Sequence, residues 1–160
     1  MTRVARAFVF ALVLAATVAS AQEQWGGYRG WGGRSRFSQR SATTESFDGG
    51  FNFCRLIYTS DRREEGGSGW STDYWDADLN FTTRLAELTK TTVSRRQDGQ
   101  PNHLSVRIAD PLLFQCPFLS ATDVGTAFFS DEDAATLREY LLKGGYLWVD
   151  DFWGPHAWDN

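Results

Sequence analysis

The residues of this chain best suited to chemistry are aspartates standing at the ends of apolar runs. Asp150 and Asp151 close the run Tyr146-Leu147-Trp148-Val149, Asp123 follows Phe118-Leu119-Ser120-Ala121, and Asp73, Asp76 and Asp78 come after the run at residues 51–58. Carboxylates gathered from several loops suit two kinds of work. They supply oxygen ligands to a hard cation such as Mg²⁺ or Ca²⁺, and when crowded, one of them can be held protonated by its neighbours and act as an acid. Adjacent side chains at a strand end point to different faces, so one of the Asp150-Asp151 pair is expected to look into a cleft. His156, after Gly154-Pro155, is the candidate base or ligand in support. Each aspartate also has a plain structural use: Asp73 and Asp76 as helix caps, Asp123 as a turn former, Asp151 as an acceptor for backbone amides.

The aromatic residues Trp70, Tyr74, Trp75, Trp148, Phe152, Trp153 and Trp158 crowd around the same aspartates. Rings beside carboxylates suit a glycan, whose apolar faces stack while its hydroxyls hydrogen-bond, and equally suit a protein partner anchored by Trp and Tyr. The candidate binding set is Tyr74, Trp75, Asp76, Asp123 and Trp153. Cys54 and Cys116 form no CxxC or zinc spacing. Two buried thiols are the expectation, with a disulfide the alternative in an oxidising compartment. No GxSxG, P-loop or strand-borne GxGxxG occurs, and His103 has no recognisable context.

Four strands and two helices must position these groups. Residues 51–58 (FNFCRLIY) are apolar on both faces, as in a central parallel strand. The Thr72-Asp73-Tyr74-Trp75-Asp76 segment supplies caps for a helix reaching about residue 89, whose Ala77, Phe81, Leu85 and Leu88 make an apolar face. Short strands follow near 104–108 and at 118–121, with Asp110-Pro111 and a helical turn at 112–114 between them. Ser130 caps a helix with acids in its first turn, Leu137, Tyr140 and Leu141 on its buried face, and Lys143-Gly144 at its end. Residues 146–149 are the last strand. This order calls for a three-layer α/β fold with a parallel, flavodoxin-like sheet, in which ligands sit outside the carboxyl ends of the strands.

The N-terminal end is organised differently. Arg3 and Arg6, the uncharged run at residues 7–18 and Ala19-Ser20-Ala21 have the order of a secretory signal cleaved after Ala21, and the run is too short to span a bilayer. Residues 22–50, rich in Gly, Ser and Arg, read as a flexible spacer, leaving residues 51–160 as the α/β domain. Losing Arg3 and Arg6 would take the formal charge from −4 to −6, a poor surface for nucleic acid. No second apolar run is long enough for a transmembrane helix. The chain stops shortly after its last strand, so the domain is expected to be truncated at its C-terminus.

FNFCRLIY, TDYWDADLNF with RLAELT, DPLLFQCPFL and SDEDAATLREYLLKGGYLWVDDFWG together resemble the bacterial domain of unknown function 4159 over residues 51–160. The resemblance implies an exported or membrane-associated domain with a fold similar to class I glutamine amidotransferases, no established activity, and a continuation beyond Asn160. Members of that family often carry a small residue or Cys after the Asp pair. Phe152-Trp153 stand there in this chain, which weakens an amidotransferase-style thiol mechanism. The leading expectation is a non-catalytic binding or protein-interaction domain of the cell envelope that holds a glycan or protein. The rival is a metal-dependent or acid-base hydrolase using Asp150, Asp151 and Asp73 with His156.

Overall fold

A computed structural model describes residues 39–63 and 66–159. The expected signal sequence and the spacer as far as residue 38 lie outside the described residues. The four expected strands are all present: β1 (Phe53–Ile57), β3 (His103–Arg107), β4 (Phe118–Thr122) and β6 (Tyr146–Asp150). They form one parallel sheet in the order β3-β1-β4-β6. β1 is buried along its whole length because it is flanked on both sides, which explains its continuous apolar run. A small antiparallel pair, β2 (Thr59–Ser60) and β5 (Ala127–Phe128), lies past the carboxyl ends of β1 and β4.

Parallel neighbours need crossovers, and two helices provide them. α1 (Asp76–Leu88) joins β1 to β3, and α2 (Asp131–Leu142) joins β4 to β6. Side chains alternate across a strand, so Cys54, Leu56, Leu119 and Ala121 share one face. With Leu104, Val106, Leu113 and Tyr140 of α2 they make the apolar core. The opposite face carries Phe53, Arg55, Phe118, Ser120 and Thr122 and meets α1. Helix, sheet and helix thus form three layers, compatible with a flavodoxin-like arrangement.

α2 is specified locally. Ser130 accepts from the Asp133 amide at 3.1 Å while the Asp133 carboxylate accepts from the Ser130 amide at 3.0 Å, a capping box at the residue expected from sequence. The helix ends at Leu142, and Gly144 just beyond its cap turns the chain with a φ of +92° that suits glycine. Tyr140 and Leu137 face the core, but Leu141, expected beside them, is 48% exposed.

Three sequence readings change in the structure. The buried members of α1 are Asp78 and Thr82; of the expected apolar face, Phe81 packs on Phe53 and Phe118 and Ala77 lines the space beside them, whereas Leu88 is 81% exposed. The cause is Arg55: a guanidinium buried on β1 beneath the helix requires a carboxylate facing it, and Asp78 provides one. Cys54 and Cys116 are joined as a disulfide, their Cα atoms 6.0 Å apart, in place of the two thiols expected; the turn Pro111–Gln115 brings Cys116 beside the Cys54 strand. The described part of the spacer, residues 39–50, is held to the sheet. Ser41 bridges Ser105 on β3, Ala42 joins the core, and Asn52 anchors to the Ser46 carbonyl.

Candidate functional site

Strand register arranges the α1 side of the sheet in three rows. Nearest the amino ends lies an aromatic row, with His103 opposite Phe53 and Phe118 opposite Tyr146. Phe53, Phe81 and Phe118 have ring centroids 5.1–5.4 Å apart, and Phe118 stacks on Tyr146 at 5.8 Å. The middle row runs Ser105, Arg55, Ser120, Trp148. At the carboxyl end Thr122 is opposite Asp150. α1 packs on β1 and, through Phe81, on Phe118 of β4, whereas on β6 Tyr146 and Trp148 remain about half exposed.

Between α1 and the uncovered half is a cavity of about 170 Å³. Its walls are Phe53, Ala77, Phe81, Phe118 and Trp148; its polar lining is Arg55, Ser120, Thr122, Asp73, Asp150 and Asp151. Asp73 and the Asp150-Asp151 pair, far apart in sequence, therefore meet at one rim. Asp73, Asp123 and Asp151 each adopt a left-handed backbone, with φ of 56°, 57° and 58°, a conformation that Asp tolerates better than most residues. At Asp123 and Asp151 it turns the chain directly after β4 and β6, and at Asp73 shortly before α1.

The rim is an uncompensated negative field. Burial, together with Asp150, Asp73 and Asp123, holds the Asp151 carboxyl above the usual carboxylate range, and Arg55 opposes this only in part. None of Asp73, Asp150 and Asp151 forms an ion pair among the described residues. Asp150 accepts from the Trp148 indole at 3.1 Å. Arg55 lines the floor, but its charge is already engaged. Nε reaches Asp78 Oδ1 at 2.9 Å, and Nη1 donates to the Trp70 and Thr72 carbonyls and to Thr122 Oγ1 at 3.2, 2.9 and 2.9 Å. Burial raises the Asp78 carboxyl, with the Arg55 contacts pulling the other way. Ser120 differs from these groups: it is 4% exposed, lines the cavity, and its hydroxyl makes no hydrogen bond among the described residues.

Other residues singled out in the sequence have different places. Asp123 is fully buried and accepts from the Gly69 amide at 2.7 Å; Gly67 must be glycine because a Cβ there would lie 2.1 Å from Asp123 Oδ2. Tyr74 lies over the Arg55 guanidinium at 5.9 Å, and Trp75 stacks on His103. Both are lids on buried polar groups and neither lines the cavity. Asp76 begins α1 on the surface. Trp153 packs close to Gly66. His156 is on the short helix α3 (Pro155–Trp158), exposed, with its carbonyl accepting from Arg62 at 3.3 Å, and is not in the lining. The described residues hold no group of three or more His, Cys, Asp or Glu that could hold a metal ion. They also include no helix long and apolar enough to cross a membrane.

The sequence reading missed Arg55, Ser120, Phe53 and Phe118. The signal for Arg55 was present, a lone charge inside an apolar strand, since such a charge has to be buried with a partner. His103 was also missed. It is 3% exposed, its Nδ1 has no hydrogen-bond partner among the described residues, and burial and then Arg40, Arg96 and Arg55 push its pKa down to about 4.

The model of the family described as Domain of unknown function (DUF4159) matches residues 52–160. No curated protein and no solved structure matches the chain.

Proposed function

This chain belongs to the DUF4159 family, and we propose that it is an exported, non-catalytic binding domain of the cell envelope whose acidic, aromatic-walled cavity receives a group presented by a partner protein or glycan. The observation that carries this is the cavity itself: four aromatic walls, three aspartates and the Ser120 hydroxyl line one space, and among the described residues these aspartates have no ion pair and this hydroxyl no hydrogen bond. Such a combination has little value for stability, because burial next to uncompensated like charge is costly. It has value for recognition. The lining holds a serine but no histidine or lysine to activate it, which favours binding over acyl transfer.

The buried Cys54–Cys116 disulfide supports export, since such bonds persist in oxidising compartments. The order β3-β1-β4-β6 is, in chain order, second, first, third, fourth strand. We take this as support for a flavodoxin-like fold of the class I glutamine amidotransferase kind, with β1 and β4 flanking its switch point. Full-length protein titrated with isolated envelope glycan and with envelope proteins tests the reading, with Ser120→Trp as a variant whose cavity is filled. Binding lost in Ser120→Trp at an unchanged Tm is the expected result. Equal binding by the filled variant, or none by either protein, rejects it.

One observation favours a second reading, an acid-base hydrolase: the raised Asp151 carboxyl beside Asp150 fits a proton donor paired with a base. Its signature would be hydrolysis of an envelope polymer with an acidic pH optimum that Asp151→Asn abolishes.

A further inference from the structure

We propose that the cavity is a receptor for an organic cation, an ammonium or guanidinium head on an apolar stem, held with the head between Asp150, Asp151, Asp73 and Ser120 and the stem along Phe118 and Phe81. This deepens the binding-domain reading and rests on it. Size is the first argument. At about 170 Å³ the space is smaller than the roughly 300–1,000 Å³ of sites that enclose whole cofactors or drug-sized ligands, and it suits a single side-chain-sized group.

Charge is the second argument. Three aspartates line the rim with no cation paired to them among the described residues, and the one cation in the lining, Arg55, is spent on Asp78. An entering ammonium or guanidinium would relieve the mutual repulsion recorded in the raised Asp151 carboxyl. A bare metal ion fits less well, since no three ligands converge among the described residues, and the aromatic walls offer it nothing.

Ser120 supplies the third and independent argument. The residue is 4% exposed and lines the cavity, and its hydroxyl, open to that space, makes no hydrogen bond among the described residues, so it is available to a group that enters. It lies two residues below Thr122, whose register partner is Asp150, a rise of roughly 6.6 Å along the strand. A head with donors on several sides can span the hydroxyl and the carboxylates, whereas its stem meets Phe118 and Phe81, and Trp148 offers a ring face to the charge.

The test is NMR titration of the ¹⁵N-labelled full chain with butylammonium and butylguanidinium, with 1-butanol as the neutral counterpart and Mg²⁺ as the bare ion. The Trp148 indole and the Ser120 and Asp151 amides should shift saturably with the organic cations. Asp150→Asn and Asp151→Asn should each weaken binding several-fold and together at least tenfold, and Ser120→Ala should weaken it several-fold without lowering Tm. Blocked Lys and Arg tripeptides binding more tightly than the free amines identifies a polypeptide side chain as the source of the head group; the reverse identifies a small free amine. Saturable binding of 1-butanol as tight as that of butylammonium overturns the cation claim but leaves the binding-domain reading standing. Cation shifts unaffected by all three substitutions, stronger binding of Mg²⁺, or no shifts at these residues with any probe would overturn it as well.

Discussion

The guanidinium of Arg55 and the carboxylate of Asp78 meet where neither is reached by water, Nε lying 2.9 Å from Oδ1 and 3.2 Å from Oδ2, with the side chains 1% and 0% exposed. The pair ties the central strand to the helix above it, and Arg55 lines the floor of the cavity. Breaking it from one side leaves a buried charge. Asp78→Asn should therefore cost about 3–5 kcal/mol, while the joint replacement Arg55→Met with Asp78→Leu should recover most of that loss. Urea denaturation of the three proteins checks this; a double variant no more stable than Asp78→Asn would show that the contacts to Thr72 and Thr122 dominate instead.

This pair also marks how far the sequence was legible. Elements that depend on neighbours along the chain were readable: the Ser130–Asp133 box, the Gly144 stop, the four strands and their order along the chain. The gathering of Asp73 with Asp150 and Asp151 was readable too, because a parallel sheet sends the loops after its strands to one edge. What depended on pairs across the sheet was not. Of the stripe at Ala77, Phe81, Leu85 and Leu88, Phe81 does meet the sheet and Ala77 the cavity, but Leu88 is exposed and the most buried positions of α1 are Asp78 and Thr82, because Arg55 needs Asp78. The value of Ser120 came from the strands on either side of it, and the Cys54–Cys116 bond from a geometry that sequence does not carry.

The disulfide closes a loop with a sequence separation of 62. In the chain-entropy picture such a link restricts the unfolded chain by about 4 kcal/mol. Cys54→Ala with Cys116→Ala should lose roughly 2–4 kcal/mol, read as a lower urea midpoint. Wild-type protein, unfolded without reductant, should take up no thiol reagent; labelling of two thiols would contradict the bond.

His103 gives the fold an acid weakness. Its folded pKa of about 4 lies below the ordinary 6.5, chiefly because of burial. The unfolded chain thus takes the proton first, and stability falls as pH drops from about 6.5 to about 4, then levels off. A shift of this size is worth about 3 kcal/mol over that window. His103→Phe, which keeps a ring against Trp75, should flatten the slope between pH 6.5 and 4.5 in denaturation midpoints. An unchanged slope would place the acid sensitivity elsewhere.

Gly145 is required by a ring. A Cβ there would lie 2.3 Å from the Tyr140 ring, and the Tyr140 hydroxyl, donating to the Cys116 carbonyl at 2.8 Å, fixes that ring in place. Gly145→Ala should cost about 1–3 kcal/mol by overpacking. Tyr140→Phe should cost only about 1 kcal/mol, the net worth of a neutral hydrogen bond. Thermal denaturation orders the two; equal losses would mean that the loop shifts to admit the methyl group.

Asp151 should behave as a residue kept for something other than stability. Its carboxyl is raised by burial and by Asp150, Asp73 and Asp123, so the ionised form burdens the folded state at neutral pH. Asp151→Asn is then expected to stabilise the protein, by on the order of 0.5 kcal/mol for a charge at a partly solvated rim. The gain should be largest above the folded pKa. It should shrink as pH falls through that value toward 3.8, because the wild-type group takes up a proton and sheds the same repulsion, opposite in sign to the His103 effect. Denaturation midpoints of the two proteins across pH 4–8 measure the difference directly. A variant less stable than wild type at pH 7 would mean that the carboxylate holds the Asp151 turn together, and the charge at the rim would then have a structural cause.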